Sequence, residues 1–582
     1  MNLPTSTDRG QPMVSGDFTT LIDALEYAAT CKTGFNFYSS RGDLKSSLSY
    51  TDLRDQAVEM AHHLVGICDK GDRVGIAAVT SPDFAILFFA CQYAGLVPAP
   101  VPLPVTLGGR GSYERQLQRM ADTGDFSAML TPASMENIMS SALNDHDIPV
   151  ISFESVGDLP RHDDLRPHSP RDLCYIQYSS GSSSSPKGVI GTQATVVANC
   201  KAIISSAGLG IVPSDRGVSW LPLYHDMGLI GFMITPMMAQ MTVDFLDPSD
   251  FTRRPITWLQ LIQDNKGTLS FSPTFGYELC VRRWRNDREL DISSWRRAGI
   301  GGDMVQPEPL KAFTELFEPF GFKDSVFTPS YGLAETTLAA TFAPEGQGLL
   351  CDTIDMERYE RTGEAIPASE LTADENKRTF IACGKVIPDH KLEIRSMDGE
   401  IMGRRRVGRV CLKGPSITPG YFRNALATQA AFTDDNWLDT GDLGYWLGDQ
   451  LVVTGRFKDL ILWHGRNIWP QDIEWAAQAA APSRCGRACS FSMGSGDEKD
   501  IILLLECRTR DQQLLGEIHT GVSSAIRLEI GAPVKLILVP RSTMIITSSG
   551  KLSRARVREK FLAGNVIDLQ ADDTIAVIEK KQ

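Results

Sequence analysis

Between Arg73 and Trp284 the chain alternates short apolar, β-favouring runs with amphipathic stretches, and nothing else in it limits the fold so strongly. Arg73–Val79, Leu96–Val101, Ser127–Leu130 and Pro149–Ser152 read as strands, with helices over Pro82–Ala94 and Pro132–Leu143 between them. The pattern resumes through Val218–Leu221, Leu229–Met238, Thr242–Leu246, Trp258–Asp264, Leu269–Phe271 and Tyr277–Trp284. Such alternation predicts an α/β fold of two stacked layers. No fixed period recurs, which excludes a solenoid. After about Pro344 the character changes. Met356–Arg378 is polar and charged, and Thr379–Cys383, Lys391–Ile394 and Arg409–Leu412 predict an antiparallel, barrel-like unit over about 345–457. A second shift near Arg456–Asp459 opens a small α+β unit. The expected division is therefore 1–457 and 458–582, since 582 residues are too many for one core.

Within this frame Tyr175–Gly191 carries the first chemical signal: an apolar run, then Ser180, Gly181, Ser182, Ser183 and Lys187, then a helix capped by Thr192. Strand, small-residue loop and helix offer backbone N–H groups and a helix N-terminus to an anion, and Lys187 adds a point charge for a phosphate. A P-loop is excluded, because Pro186 precedes the lysine and Gly188 follows it, with no hydroxyl where Mg²⁺ would be held. A flexible serine linker is disfavoured by the apolar elements on both sides.

The net charge of −13 bears on what that phosphate belongs to. An acidic surface repels nucleic acid, so a small nucleotide held locally is expected rather than a polynucleotide. Twelve cysteines lie scattered in apolar runs without zinc spacing, as expected of free thiols in a reducing cytoplasm. The polar stretch Met1–Asp17 has no signal-peptide core, and Gln92 with four prolines interrupts the apolar stretch Phe84–Val105, so no integral membrane contact is expected.

Further glycine-and-charge stretches stand at likely strand ends, where open α/β sheets bind ligands. Trp220–Gly231 holds His225 and Asp226, the latter equally readable as a helix cap. Pro329–Thr337 holds Tyr331, able to stack on a base, with Gly332, Ala334 and Glu335, the last suited to Mg²⁺. Trp437–Gly444 presents Asp442, an acceptor suited to a ribose diol, and Thr454–Ile461 adds Arg456. Thr547–Arg554 carries Lys551 in a small-residue loop.

Taken in this order, the serine loop, Tyr-Gly-x-Ala-Glu, Thr-Gly-Asp, Gly-Arg-x-Lys-Asp and late Gly-Lys resemble the adenylate-forming superfamily of acyl-CoA synthetases, peptide-synthetase adenylation domains and luciferases. Within it, Tyr224–Gly231, Pro329–Glu335 and Gly465–Glu474 are most similar to the fatty acyl-AMP ligases. The resemblance implies a large N-terminal domain with a distorted β-barrel and a small mobile lid hinged at Lys458. It implies that ATP and Mg²⁺ convert a fatty acid to acyl-AMP and pyrophosphate, and that the acyl group then passes to an acyl carrier protein. By motif, Lys551 would stabilise charge on carboxylate and α-phosphate, Asp442 and Arg456 would grip the ribose, and Gly302 and Asp303 would flank the adenine. Glu335 would hold Mg²⁺, and His225 would lie beside the acyl carboxylate. Two departures are noted: Ser184 where glycine is usual, and Gly302-Asp303 for a more usual Ala-Glu. The alternative is a fatty acyl-CoA synthetase on the same fold. Against it stands the polar segment Met356–Arg378, placed where the ligases carry an insertion; its other reading is an ordinary exposed loop.

Overall fold

The structure, a computed structural model, describes residues 10–104, 110–179, 186–286, 289–463, 466–482, 484–494, 500–546 and 552–571. Strands β1 (Gly34–Tyr38) and β2 (Leu44–Ser49) pair antiparallel at one edge. Strands β3 (Arg73–Ala77), β4 (Val97–Val101), β5 (Phe126–Thr131) and β6 (Val150–Ser152) form a parallel sheet in the order β4-β3-β5-β6. The helix Pro82–Ala94 is buried from Phe84 to its end, as expected of a helix apolar on all sides. Ser81 caps it and Pro82 fits its first turn. Gly95 ends it at φ +73°, where a Cβ would stand 2.1 Å from the Arg166 carbonyl oxygen. No helix of the described residues is long and apolar enough to cross a membrane.

Strands β7 (Leu173–Ser179) and β8 (Lys187–Thr192) correct one expectation. They pair antiparallel with Ser179 opposite Lys187, so a strand and not a helix begins at Lys187. The β-branched Val189 and Ile190 extend the chain before Thr192 caps the helix Gln193–Ile204. That helix N-terminus is thereby set a strand's length along the chain from Lys187.

The second sheet collects β9 (Arg216–Ser219), β10 (Thr242–Leu246), β11 (Leu269–Ser272), β12 (Arg297–Ile300), β13 (Phe327–Gly332) and β14 (Ala339–Phe342). After the hairpin pair β15 (Cys351–Asp355) and β16 (Lys377–Ile381), β17 (Lys385–Val386) completes nine strands in the order β17-β14-β13-β12-β11-β9-β10-β1-β2. From β13 to β1 every pairing is parallel, so the carboxyl ends share one edge. One apolar core, from Leu21 to Ile387, fills the space around both sheets. A four-stranded antiparallel sheet follows: β18 (Lys391–Arg395), β19 (Gly408–Lys413), β20 (Leu438–Leu447) and β21 (Gln450–Arg456). Thr379–Cys383 joins it differently from the expected barrel strand. Lys377–Ile381 pairs with Cys351–Asp355, and only its continuation reaches β21, where Cys383 N–H donates to the Leu451 carbonyl at 2.7 Å.

From Ile461 onward the chain builds two apolar clusters of its own around the three-stranded sheet Cys485–Met493, Asp500–Cys507 and Val534–Pro540. The helices Pro470–Ala480, Gln512–Ile530 and Arg554–Leu562 pack on it. The architecture is thus a large α/β N-terminal part and a small α+β C-terminal part.

Candidate active site

At the carboxyl edge of β12 and β13 a cavity of about 360 Å³ opens between the two parts. One of its ends is polar. Tyr331, at the end of β13, donates its hydroxyl to Asp442 Oδ2 at 2.7 Å, and Arg456 Nε stands 3.3 Å from Asp442 Oδ1. The register of β20 and β21, which sets Asp442 opposite Arg456, brings that pair together. The Asp442 side chain is 10% exposed and that of Arg456 is 54% exposed, so the guanidinium turns outward to the cavity while the carboxylate anchors it. Burial and then the Asp442 charge push the Tyr331 phenol well above its ordinary value, and Asp442 strengthens the Arg456 charge.

Glu335 follows β13 in a short turn. Its Oε1 accepts from the Tyr421 hydroxyl at 2.8 Å, and Lys187 Nζ lies 4.7 Å from the centre of the Tyr421 ring. Burial, followed by the Glu335 charge, raises the Tyr421 pKa. Tyr421 is held there by backbone: Phe422 N–H donates to Gly188 O at 2.8 Å, and Ile190 N–H to Gly420 O at 3.1 Å. The end of the serine loop is therefore joined to Glu335 through one tyrosine. Sequence reading did not single out Tyr421; the Pro419-Gly420 turn before an aromatic pair was its available signal.

His225 and Asp226 also line the cavity, with His225 Nδ1 2.5 Å from Asp226 Oδ1. Asp226 opens the short helical turn Asp226–Gly228, and its Oδ1 accepts from Met227 N–H at 2.8 Å within that turn. With Nδ1 committed to Asp226, the ring's Nε2 is the nitrogen left for a ligand. Gly302, at φ +83°, and Asp303 border the same space; a Cβ on Gly302 would stand 3.3 Å from the Met227 methyl. Gly332 and Ala334 complete this wall. A Cβ on Gly332 would stand 1.8 Å from the Leu338 carbonyl oxygen, so glycine is required there by close backbone approach. Ser180, Gly181, Ser182, Ser183, Ser184 and Lys551 lie outside the described residues.

The C-terminal part contributes Gln471, Ser553 and Arg554 to the lining. Arg554 binds Glu474 through two hydrogen bonds, 2.8 and 2.7 Å, and reaches Asp459 at 3.1 Å. Burial opposes its charge, but Glu474 and Asp459 hold it protonated. Asp459 sits one residue after Lys458, in the turn Phe457–Asp459, so this cluster ties the chain after the Lys551 loop to the proposed pivot. Arg554 was visible in the sequence only as the last residue of its motif.

Away from the polar end the cavity is apolar, lined by Ile203, Leu209, Phe232, Met241, Phe271 and Phe342. The helical stretch Leu229–Met238 expected here begins as a π-turn segment, Leu229–Ile234, a widening common at functional sites. None of these apolar residues was legible as a site, because core and ligand channel share one composition.

The donor set fits a nucleotide and a hard cation. A buried aspartate paired with an outward-facing arginine suits a ribose diol, and one glutamate suits Mg²⁺ when phosphates supply the other oxygens. No group of three metal-ligating side chains exists among the described residues. The apolar lining and this polar end belong to one cavity.

Comparison with known proteins agrees. Residues 27–422 match the family model described as AMP-binding enzyme. The putative acyl-CoA synthetase of Caulobacter vibrioides is 44% identical over 98% of this chain and 99% of its own. The medium-chain-fatty-acid–[acyl-carrier-protein] ligase JamA of Moorena producens is 29% identical over 96% and 98%. A solved structure from work on fatty acyl-adenylate ligases of E. coli and L. pneumophila superposes with a TM-score of 0.90 at 41% identity, covering 94% of this chain and 99% of that one. The chain belongs to the AMP-binding enzymes of the adenylate-forming superfamily.

Proposed function

We propose that the protein is a fatty acyl-AMP ligase that joins a fatty acid to ATP, releases pyrophosphate and passes the acyl group to the phosphopantetheine thiol of an acyl carrier protein in the cytoplasm. The observation that carries this reading is one cavity whose lining combines the apolar Ile203, Leu209, Phe232, Met241, Phe271 and Phe342 with the polar Tyr331, Asp442, Arg456, Glu335 and His225. A carboxylate oxygen of the fatty acid attacks the α-phosphorus of ATP, and the bond to the pyrophosphate oxygen breaks. Two anions must meet, so catalysis rests on positioning and on cationic stabilisation. Asp442 and Arg456 hold the ribose, while Gly302, Asp303 and Tyr331 border the adenine. Gly332 and Ala334 leave room for it. Ser180, Gly181, Ser182, Ser183 and Lys187 receive the phosphates; His225 Nε2 and Lys551 stand at carboxylate and α-phosphate. Mg²⁺, held by Glu335, neutralises phosphate charge when bound. The division at 457/458, with Lys458 as pivot, lets the small domain close for adenylation and rotate for transfer.

The choice of carrier over free CoA rests on the polar segment Met356–Arg378. It lies against the C-terminal part through Glu360, 2.8 Å from Arg466 Nε, and through Arg378, which pairs with Asp472 and stacks on Trp475 with its guanidinium 5.2 Å from the ring centre. Burial lowers the Arg378 pKa to about 10. Tyr359 inserts into an apolar cluster with Phe380 and Trp469, so the contact is less hydrated than its charges alone suggest. This brace holds the closed arrangement, and a carrier protein offers binding energy to release it that free CoA lacks. The rival reading, an acyl-CoA synthetase, gains from the name of the Caulobacter relative.

Incubation with Mg²⁺-ATP and medium- or long-chain acids should give acyl-AMP and pyrophosphate by mass spectrometry; ADP with acyl phosphate would refute adenylation. Asp442→Asn keeps the shape and removes the charge, so it should raise the KM for ATP by about tenfold, the worth of one charge-assisted hydrogen bond. An unchanged KM would remove Asp442 from the ribose site.

A further inference from the structure

Between β19 and the helix Ala425–Ala431 the chain runs as a short strap, 416–422, that touches two pieces of the polar site at once. On one side it pairs with β8, which begins at Lys187. Phe422 N–H donates to Gly188 O at 2.8 Å, Ile190 N–H to Gly420 O at 3.1 Å, and the Thr418 hydroxyl to Ile190 O at 2.7 Å. On the other side it grips the turn after β13. Thr418 N–H donates to Glu335 O at 2.8 Å, and the Thr337 hydroxyl donates to Ser416 O at 2.9 Å. That turn is strained, because the β-branched Thr337 stands at φ +72°. Such strain persists only where surrounding contacts over-determine the backbone, and the strap supplies two of them.

Tyr421 carries the strap's side-chain contacts to both pieces. Its hydroxyl donates to Glu335 Oε1 at 2.8 Å, and Lys187 Nζ lies 4.7 Å from its ring centre. Its own N–H donates to Thr428 Oγ1 at 2.9 Å, which fixes the backbone that presents the ring. Burial, then the Glu335 charge, keep the phenol protonated and therefore a donor. With Oε1 engaged, Oε2 can meet a cation without first losing rotational freedom. Packing alone would be served by a phenylalanine; a hydroxyl aimed at a carboxylate is a polar task.

Resting on the adenylation reading above, we propose that Tyr421 is a positioning residue for that reaction. Its hydroxyl orients Glu335 for the cation and its ring face holds the Lys187 ammonium, so carboxylate and ammonium stand at a fixed spacing before ATP binds. The two tasks use different atoms, and substitution separates them.

Tyr421→Phe removes the hydroxyl alone, and Tyr421→Leu removes the aromatic ring as well. Mn²⁺ bound in the complex with α,β-methylene-ATP is measured by its electron paramagnetic resonance signal. Pyrophosphate release is followed against Mg²⁺, ATP and fatty acid in the same preparations, with a melting curve for each protein. Tyr421→Phe should weaken Mn²⁺ binding, and raise the Mg²⁺ concentration for half-maximal rate, by about tenfold, the effect of losing one group that orients a metal ligand. Its KM for ATP at saturating Mg²⁺ should stay at the wild-type value. Tyr421→Leu should show the same metal defect and also raise that KM about two- to fivefold, the scale of one cation–π contact. The KM for the fatty acid should not move in either variant. Wild-type Mn²⁺ affinity in Tyr421→Phe would overturn the proposal and leave the adenylation reading intact. So would a lowered melting temperature with metal and ATP dependence unchanged, since Tyr421 would then only pack. Failure of the wild type to release pyrophosphate with any acid would overturn the adenylation reading and this inference with it.

Discussion

Lys551→Ala should lower the rate of acyl-AMP formation by about 10²–10³-fold, the scale of losing one preorganised transition-state donor. The motif Thr547–Arg554 delivers the lysine immediately before Leu552, Ser553 and Arg554, and all three of those line the catalytic cavity. The side chains around that loop's exit are fixed, since Arg554 is locked to Glu474 and Asp459. Loss of the ammonium should therefore leave the fold intact and the adenylate unformed. Transfer from preformed acyl-AMP to a carrier should fall much less, because no charge then gathers at the α-phosphate before attack. Equal losses in both half-reactions would assign Lys551 to folding or carrier binding.

Releasing the brace should change the product. Glu360→Lys with Arg378→Ala removes the partners of Arg466 and Asp472 and the stacking on Trp475. Breaking such partly buried pairs is worth roughly 3 kcal/mol, enough to shift closed against rotated populations by on the order of 10². Acyl-CoA output should rise by that factor from a near-zero wild-type value, with acyl-AMP formation largely retained. Deleting Met356–Ala373 should act in the same direction but also removes the buried Tyr359, so the paired substitutions are the cleaner experiment. An unchanged CoA yield from folded, adenylating variants would remove the segment from the choice between CoA and carrier.

Much of the architecture was legible because period and composition report burial directly. The helix Pro82–Ala94 and strand Thr242–Leu246 have the bounds their apolar runs imply. The path from Lys187 to the helix was not, because Val189 and Ile190 stand between Gly188 and Gly191, too short an apolar run to mark a strand before its pairing with Leu173–Ser179 is seen. Strands β20 and β21 were visible only as motifs, yet their register is what sets Asp442 against Arg456. Motif residues of the polar site converge as far as they are described: His225, Gly302, Asp303, Tyr331, Gly332, Ala334, Glu335, Asp442 and Arg456 line one cavity. Tyr421 escaped notice, and Glu474 stood only as the last residue of the Gly465–Glu474 motif, because their roles arise from long-range contacts, to Glu335 and to Arg554. The acyl channel escaped for a different reason. Phe232, Met241 and Phe271 are chemically indistinguishable from core until the fold shows the space between them.

The most direct test is one reaction holding the wild-type protein, Mg²⁺-ATP, a long-chain fatty acid, CoA and a holo-acyl carrier protein together, with every acyl product identified by mass spectrometry. The expected result is pyrophosphate and AMP released with acyl-carrier thioester accumulating, acyl-AMP as the intermediate and acyl-CoA nearly absent. Acyl-CoA as the main product, with the carrier left uncharged, would contradict it.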